Sequence, residues 1–293
     1  MDKRIVAVVV TYNRKDCLLR CVEALGNQTA PTDVLIVDNA STDGTAEALA
    51  PLLSDTVRYV NTGENLGGAG GFQFGVRQAV SDGYDLLWLM DDDCIPETYA
   101  LEALLTADKR LEGHYGFLSG MAYWRAGNLC NMNVQKVGIK EKLTDLSSPV
   151  VPVAMATFVS LLVPARRVKQ VGLPIKEFFI WSDDLEYTRR LSRRFPCFAV
   201  PASRVLHDMH SNDNVNIATD SPDRLGRYAY LYRNEVYVYR REGIRGWLYL
   251  IPRVCYHLLK VLLKSDHKWA KMKVILSSFF AGFSFNPPIE YVD

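Results

Sequence analysis

The chain has no uninterrupted apolar stretch near the ~18 residues that a bilayer-crossing helix needs, so none is expected. It has almost no net charge: 34 Lys and Arg stand against 33 Asp and Glu, a formal +1, so no global field points to nucleic acid. Its six cysteines, at 17, 21, 94, 130, 197 and 255, form no Cys-x-x-Cys pair, which disfavours a zinc ribbon or a thioredoxin-like motif. Reduced thiols are the simplest account of them. The glycine-rich G-x-x-x-x-G-K-[ST] signature of a P-loop is missing, as are internal repeats and low-complexity tracts. The opening Met1–Arg4 and the short run Ile5–Val10 lack a small-residue cleavage site, so a buried strand is expected there rather than a leader. What is present is a 293-residue chain, 48% hydrophobic, enough for one large domain or a domain with an extension.

Ile5–Val10 is an unbroken aliphatic run, the pattern of a strand covered on both faces. Apolar residues at helical spacing follow over Asp16–Leu25. Val34–Val37, Val57–Asn61 and Leu86–Met90 read as further short strands, with helices over Thr45–Leu53 and from Phe72 to Ser81. This alternation predicts an α/β fold, a mostly parallel central sheet flanked by helices. Polar or glycine-rich segments follow each strand: Thr11–Arg14, Asp38-Asn39, Asn65–Gly71 and Asp91–Asp93. In open α/β sheets ligands bind outside the carboxyl ends of the strands, so these four should meet in one crevice. Residues 125–149 are polar, with few periodic cues, and are expected to form a mobile loop over an acceptor. Phe198–Pro201 and Arg204–His207 read as two short strands. From Ser221 to Phe283 the pattern is helical, which divides the chain into 1–212 and an extension, 213–293.

Each motif has a chemical and a plain reading. Asp91-Asp92-Asp93 places three carboxylates side by side, which raises their pKa values unless a cation or hydrogen bonds compensate. Hard oxygen ligands suit Mg²⁺ or Mn²⁺ bridging to a diphosphate; a solvated acidic turn is the alternative. The glycines of Asn65–Gly71 allow close backbone approach to a sugar or diphosphate, or simply a tight loop. Asp38 can accept from a nucleobase imide or a ribose hydroxyl, or serve an Asp-Asn turn. Asp183, Asp184 and Glu186 form a second acidic cluster, fit for a general base or for capping a helix whose dipole keeps them ionised. His207 and His210 offer imidazole to Mn²⁺, or are structural.

Taken together these residues resemble glycosyltransferase family 2, the inverting transferases of GT-A fold, over about residues 4–210. Val8–Arg14, Val37–Thr45 and Asp91–Asp93 follow the family pattern in order and spacing. Asn65–Phe72, Trp88–Asp93 and Ile180–Tyr187 look most like the galactofuranosyl- and rhamnosyltransferase-like branch, tilting toward galactofuranose. Trp181-Ser182 before the acidic pair departs from that branch, which puts acceptor packing there in doubt. The resemblance implies that Thr11, Arg14 and Asp38 bind the uridine and that Asn65, Gly67 and Gly68 lie along the donor. It implies that Asp91, Asp93 and His207 hold Mn²⁺ or Mg²⁺, with Asp92 on the ribose or sugar. Asp184 would be the base, with Asp183 beside it and Glu186 orienting the acceptor or tuning Asp184. The donor implied is UDP-galactofuranose; dTDP-rhamnose is the rival. A nucleotide-sugar-binding scaffold without catalysis is the rival of another class.

Between Arg240 and Lys273 nine Lys or Arg face two acids, +7 locally. Arg253, His257, Lys260, Lys264, Lys268 and Lys271 recur at three- and four-residue steps, one stripe of a helix. A basic, aromatic-rich amphipathic helix fits an anionic membrane surface, or packs on the catalytic domain with a solvated face. A glycan acceptor carried on a polyprenyl diphosphate would account for membrane contact. The expected location is peripheral, on the cytoplasmic face of the inner membrane. A nucleic-acid partner is disfavoured by the acidic crevice.

Overall fold

The aliphatic run Ile5–Val10 does form a strand with helices on both sides. The computed structural model describes residues 3–213 and 215–292, so Met1 and Asp2 of the opening segment lie outside the described residues. The elements run β1 (Ile5–Thr11), α1 (Lys15–Gly26), β2 (Asp33–Asp38), α2 (Thr45–Leu49), β3 (Val57–Asn61), α3 (Gly67–Ser81) and β4 (Leu86–Asp91). Then come β5 (Cys94–Pro96), α4 (Ala100–Arg110), β6 (Leu118–Tyr123), β7 (Val151–Pro152), β8 (Leu161–Pro164), α5 (Ala165–Val171), α6 (Asp183–Ser192) and β9 (Phe198–His207). Three helices close the chain: α7 (Leu225–Arg240), α8 (Ile244–Lys264) and α9 (Lys268–Ser284).

The sheet order is β3-β2-β1-β4-β8-β6-β9-β5, with β7 paired to β9. β1, β2, β3 and β4 are mutually parallel, because helical crossovers join them. Beyond β4 loop connections permit antiparallel pairing, and β8 joins β4 that way. The sheet is therefore mixed, and its parallel character belongs mainly to the first half. The two short strands expected near residues 198–207 are one, β9, parallel to β6 across a register shift between Ser119 and Met121.

The register aligns the strand ends. Val10 pairs with Asp91, Thr11 with Asp38 and Asp38 with Asn61. One face of the sheet buries Val6, Val8, Leu35 and Leu87 under Phe72 and Val76 of α3. The other buries Val9, Ile36, Trp88 and Met90 under Leu18 and Leu25 of α1 and Leu104 of α4.

The glycine-rich segment is not a loop. Gly67–Gly71 form the first turns of α3 rather than preceding a helix at Phe72. The reason is proximity to the sheet. A Cβ on Gly71 would meet Val10 Cγ1 at 2.5 Å, and one on Gly75 would meet Val8 Cγ1 at 2.5 Å and Val37 Cγ2 at 2.9 Å.

The basic stripe also resolves differently. α8 ends at Lys264 and α9 starts at Lys268, so the stripe is broken. Half of it faces inward. Arg253 is paired with Glu235, His257 Nδ1 lies 2.8 Å from the Tyr232 hydroxyl, and buried Lys271 donates to the carbonyls of Ala218 and Asp220. Among the described residues no helix is long and apolar enough to cross a membrane.

Gly75→Ala is expected to destabilise the protein by about 1–2 kcal/mol in urea denaturation, because overpacking against Val8 and Val37 costs more than the ~1 kcal/mol gained in helix propensity. A neutral or stabilised variant would contradict the close approach of α3 to the sheet.

Candidate active site

Thr11 and Asp91 are carried to the same edge by β1 and β4, and a tight turn after β4 brings Asp92 and Asp93 alongside. Asp92 and Asp93 are buried, and their charges are compensated in different ways. Asp92 accepts from the Thr11 hydroxyl at 2.8 Å and lies 3.2 Å from Arg14 Nη1. Asp93 Oδ2 lies 2.9 Å from the same nitrogen. The Asp93 carbonyl accepts from the Asp208 amide at the end of β9, which docks the turn onto that strand. Thr11, Arg14 and Asp92 are thus tied to one another, and Arg14 straddles two of the three carboxylates.

Asp93 Oδ1 faces His207. The imidazole Nε2 lies 3.1 Å away, yet the oxygen has no hydrogen-bond partner of acceptable geometry. On its other side His207 Nδ1 sits 2.9 Å from the Asn133 side-chain oxygen. A carbonyl oxygen only accepts, so Nδ1 carries a proton and Nε2 is the nitrogen left for Asp93. Asp93 Oδ1 and His207 Nε2, about 3 Å apart, have the spacing of adjacent ligands of one octahedral ion once Nε2 gives up its proton. Among the described residues Asp93, Cys94 and His207 place ligand atoms within 4.8 Å of one another. Cys94 was not anticipated. Burial, then the charges of Asp93 and Asp91, raise its thiol well above the usual range, so it stays protonated and the hard donors are the available ones. Asp91 stands outside that tight group but on the same floor. Its carboxylate has no hydrogen-bond or ion-pair partner among the described residues.

The electrostatics separate the triplet. Asp91 is pushed up to about 7, chiefly by burial and then by the charge of Asp93. Asp92 rises to about 6, where burial and Asp93 outweigh Arg14 and Thr11. Asp93 falls to about 2: burial opposes its charge, but the His207 contact and Arg14 prevail. His207 rises to about 10 although burial disfavours its charge, because Asp93 and Asp91 attract it. A divalent cation placed among Asp91, Asp93 and His207 would replace that proton with stronger positive charge. The residues therefore fit such an ion.

The second acidic cluster opens α6, and the backbone before it is strained. Phe179, Trp181 and Ser182 all have positive φ, at 62°, 64° and 66°. Such conformations cost of order 1–3 kcal/mol each and persist only where surroundings enforce them. Two contacts enforce them here. Gly67, at φ 69°, leaves room for the Phe179 carbonyl, which a Cβ would meet at 2.2 Å, and that carbonyl accepts from the Ala69 amide. Asn234 of α7, wholly buried, donates to the carbonyls of Phe178 and Trp181 at 2.9 Å, shared with Ile180 at 3.2 Å. Asp184 is held half-buried with Oδ1 accepting from the Leu185 amide. Burial raises it to about 6, against that bond and the nearby charge of Lys136. Burial and then Asp184 push Asp183 well up, so the helix dipole does not keep Asp183 ionised, whereas Asp184 at about 6 is ionised at neutral pH.

Several expected residues lie at the cleft without facing it. Asp38 is wholly buried; Ser41 donates to one oxygen twice and the Tyr59 hydroxyl to the other at 2.7 Å. Contact with a nucleotide would need those bonds to open. Glu186 is buried in a pair with Arg190, whose guanidinium also caps the carbonyls of Val171 and Leu173. That bidentate pair engages both carboxylate oxygens. Asn65 accepts from the Gly67 amide, and Asn39 donates to the Gly67 carbonyl. Gly68 alone of the three donor-segment residues has open space where a Cβ would stand. His210 lies beyond β9 and outside the tight ligand group.

Asn133, Lys136 and Asn234 were missed. The first two sit in the polar segment 125–149, which is stitched down rather than free: Lys136 bridges to Met155, and Gln135 donates to Ser119 and Gly120. Asn234 left a faint signal, a poor helix former inside the aromatic sequence Tyr232-Arg233-Asn234-Glu235-Val236.

The strand-end cleft, the acidic turn and the mixed sheet are those of a GT-A glycosyltransferase. Residues 6–115 match the family model Glycosyl transferase family 2. The chain is 28% identical over 285 residues to galactofuranosyltransferase GlfT1 of Mycobacterium tuberculosis, across 86% of this chain and 91% of that one. The same-named protein of Mycolicibacterium smegmatis is 28% identical over 282 residues, covering 85% and 90%. Among solved structures, S. aureus TarS 1-349 in complex with UDP superposes with a TM-score of 0.54 at 14% identity, over 97% of this chain and 72% of that one. That likeness concerns the fold.

Asn234→Ala is expected to lower stability by roughly 1–3 kcal/mol, since it leaves buried carbonyls unpaired. Amide exchange over residues 177–183 should accelerate with it. Unchanged exchange there would detach α7 from the strained turn.

Proposed function

We propose that the protein transfers galactofuranose from UDP-galactofuranose, with inversion, to a hydroxyl of a polyprenyl-diphosphate-linked glycan at the cytoplasmic face of the inner membrane. The observation that carries this reading is the single cleft holding Asp184, the acidic triplet and a His207 whose free nitrogen is aimed at Asp93. The extended similarity to proteins named galactofuranosyltransferase supports the sugar. The UDP complex of a neighbour in fold supports the nucleotide. Catalysis would reside in residues 1–212, with 213–293 as the extension that braces it.

Asp91, Asp93 and His207 would hold a Mn²⁺ or Mg²⁺ ion. When bound, that ion supplies positive charge against the diphosphate as it departs. Asp184 accepts the proton of the acceptor hydroxyl. The oxygen so activated bonds to the anomeric carbon from the face opposite the diphosphate, and the electron pair of the breaking C–O bond leaves with the diphosphate. One displacement inverts the centre. Thr11 and Arg14 hold Asp92 and Asp93 in place while the uridine and ribose settle over the ends of β1 and β2. Gly68, with open space before it, lets the donor approach the start of α3.

A screen of UDP- and dTDP-sugars on a synthetic lipid-linked acceptor, read by mass and linkage, tests the reading. Transfer from dTDP-rhamnose and not from UDP-galactofuranose would overturn the donor. Asp184→Asn should lower turnover roughly 10²–10⁴-fold while UDP binding persists. Because Asp184 must be ionised to act and is raised to about 6, activity should fall as the pH drops through about 6. Asn133→Ala releases the His207 ring, and Mn²⁺ affinity measured by titration calorimetry should weaken roughly 10–100-fold.

A further inference from the structure

α8 and α9 turn Leu250, Val254, Val261 and Ile275 into the protein, where they meet Tyr232, Val236 and Tyr239 of α7. Their outward faces are apolar as well. On α8, Ile244, Leu248, Ile251, Cys255, Leu259 and Leu262 recur at three- and four-residue steps, forming one stripe, and every one is exposed. On α9, Trp269, Phe280 and Phe283 are exposed, Trp269 to 85%. Between the helices a groove of about 410 Å³, lined by Trp247, Leu258, Leu276 and Phe279 among others, joins the two faces without any polar surface. Soluble surfaces rarely leave so large a contiguous apolar patch uncovered.

The charge around the patch is of one sign. Residues 244–284 contain seven Lys or Arg and a single acid, Asp266. Arg245, Lys264, Lys268 and Lys273 are exposed.

We infer that the outward face of α8 and α9 is an interfacial membrane anchor, lying in the headgroup region of an anionic leaflet with its apolar stripe inserted. This rests on the reading that the acceptor is lipid-linked, and it assigns the surface that brings the enzyme to that lipid. The charges select the occupant. A second copy docked on this face would crowd two sets of lysines together, whereas anionic headgroups neutralise them. Exposed Trp269 and Tyr256 carry the amphipathic rings favoured at headgroup depth. Neither helix can span the bilayer, so both lie along it. The contact is carried by the apolar stripe, not by the broken basic one, so salt weakens it without abolishing it. The anchor is coupled to the cleft: Arg240 of α7 donates to the carbonyls of Gly282, Phe283 and Phe285 at the end of α9, and Asn234 of the same helix holds the turn before Asp184.

The test is flotation of the full-length protein with phosphatidylcholine vesicles, with and without phosphatidylglycerol, at low and high salt. The wild type should float with the anionic vesicles and retain part of that binding at high salt. Leu248→Asp combined with Phe280→Asp should reduce binding about tenfold or more at both salts, as charge is driven into the apolar stripe. Its thermal transition and its UDP affinity in solution should match the wild type, which excludes misfolding. Wild-type protein that stays with the pellet, or a double variant that floats undiminished, overturns the inference. So does a wild-type dimer in light scattering that the double variant converts to monomer. UDP titration separates the two readings: flotation without UDP binding defeats the proposed function and spares the anchor, and UDP binding without flotation does the reverse.

Discussion

Three carboxylates at the end of one strand repel one another, and much of the cleft is organised around offsetting that repulsion. Arg14 reaches two of them, and Thr11 donates to Asp92. His207 arrives on the opposite strand of the sheet and takes the remaining side of Asp93. Asp91 is left with no such partner, and its carboxyl is accordingly driven toward the neutral form. The arrangement is asymmetric, with one carboxylate firmly ionised and one poised to lose its proton to any nearby cation. A row of equally solvated acids would show neither property.

That asymmetry depends on residues far apart in the chain. His207 is held in one tautomer by Asn133, which belongs to a segment without periodic signal. The segment is ordered because Lys136 pairs with Met155 and Gln135 reaches the backbone of β6. A sequence pattern registers periodicity and local turn chemistry; it does not register a side chain that acts across 74 positions on another strand. This is why the strand ends and the two acidic clusters were legible from Ile5–Val10, Asp91–Asp93 and Asp183-Asp184, while the contacts of Asn133 and Asn234 were not. Nor does a sequence pattern register that Glu186, grouped in the sequence with Asp183 and Asp184, pairs with Arg190 one turn later.

The glycines show a second limit: Asn65–Gly71 read equally as room for a ligand or as a tight loop, while the structure uses Gly71, and Gly75 beyond that segment, to let α3 settle onto β1 and β2. Gly67 serves the strained turn, because its missing side chain is the space occupied by the Phe179 carbonyl. In the C-terminal helices the basic periodicity was real, but half of the stripe faces inward. Arg253 and Lys271 satisfy buried acceptors, and leucines and aromatics take the outer face. Composition revealed that the segment was unusual; only the packing partners decided which stripe faced outward.

The extension and the turn that leads into Asp183 and Asp184 are consequently one energetic unit. Three positive-φ residues of order 1–3 kcal/mol each are more strain than a six-residue turn can hold by itself. Gly67 supplies room on one side, and Asn234 supplies donors on the other. Around them, Arg189 of α6 and Arg193 just after it both pair with Glu242 just past α7, and Phe178 packs edge-on against Tyr237. Glu290, near the chain end, pairs with Arg77 of α3 and with Lys176. Apart from the Arg77 pair, which reaches α3, each contact crosses from the extension to the segments that flank Asp183 and Asp184. The boundary near residue 212 is thus a boundary in sequence pattern, but not in the forces that set the geometry of Asp184.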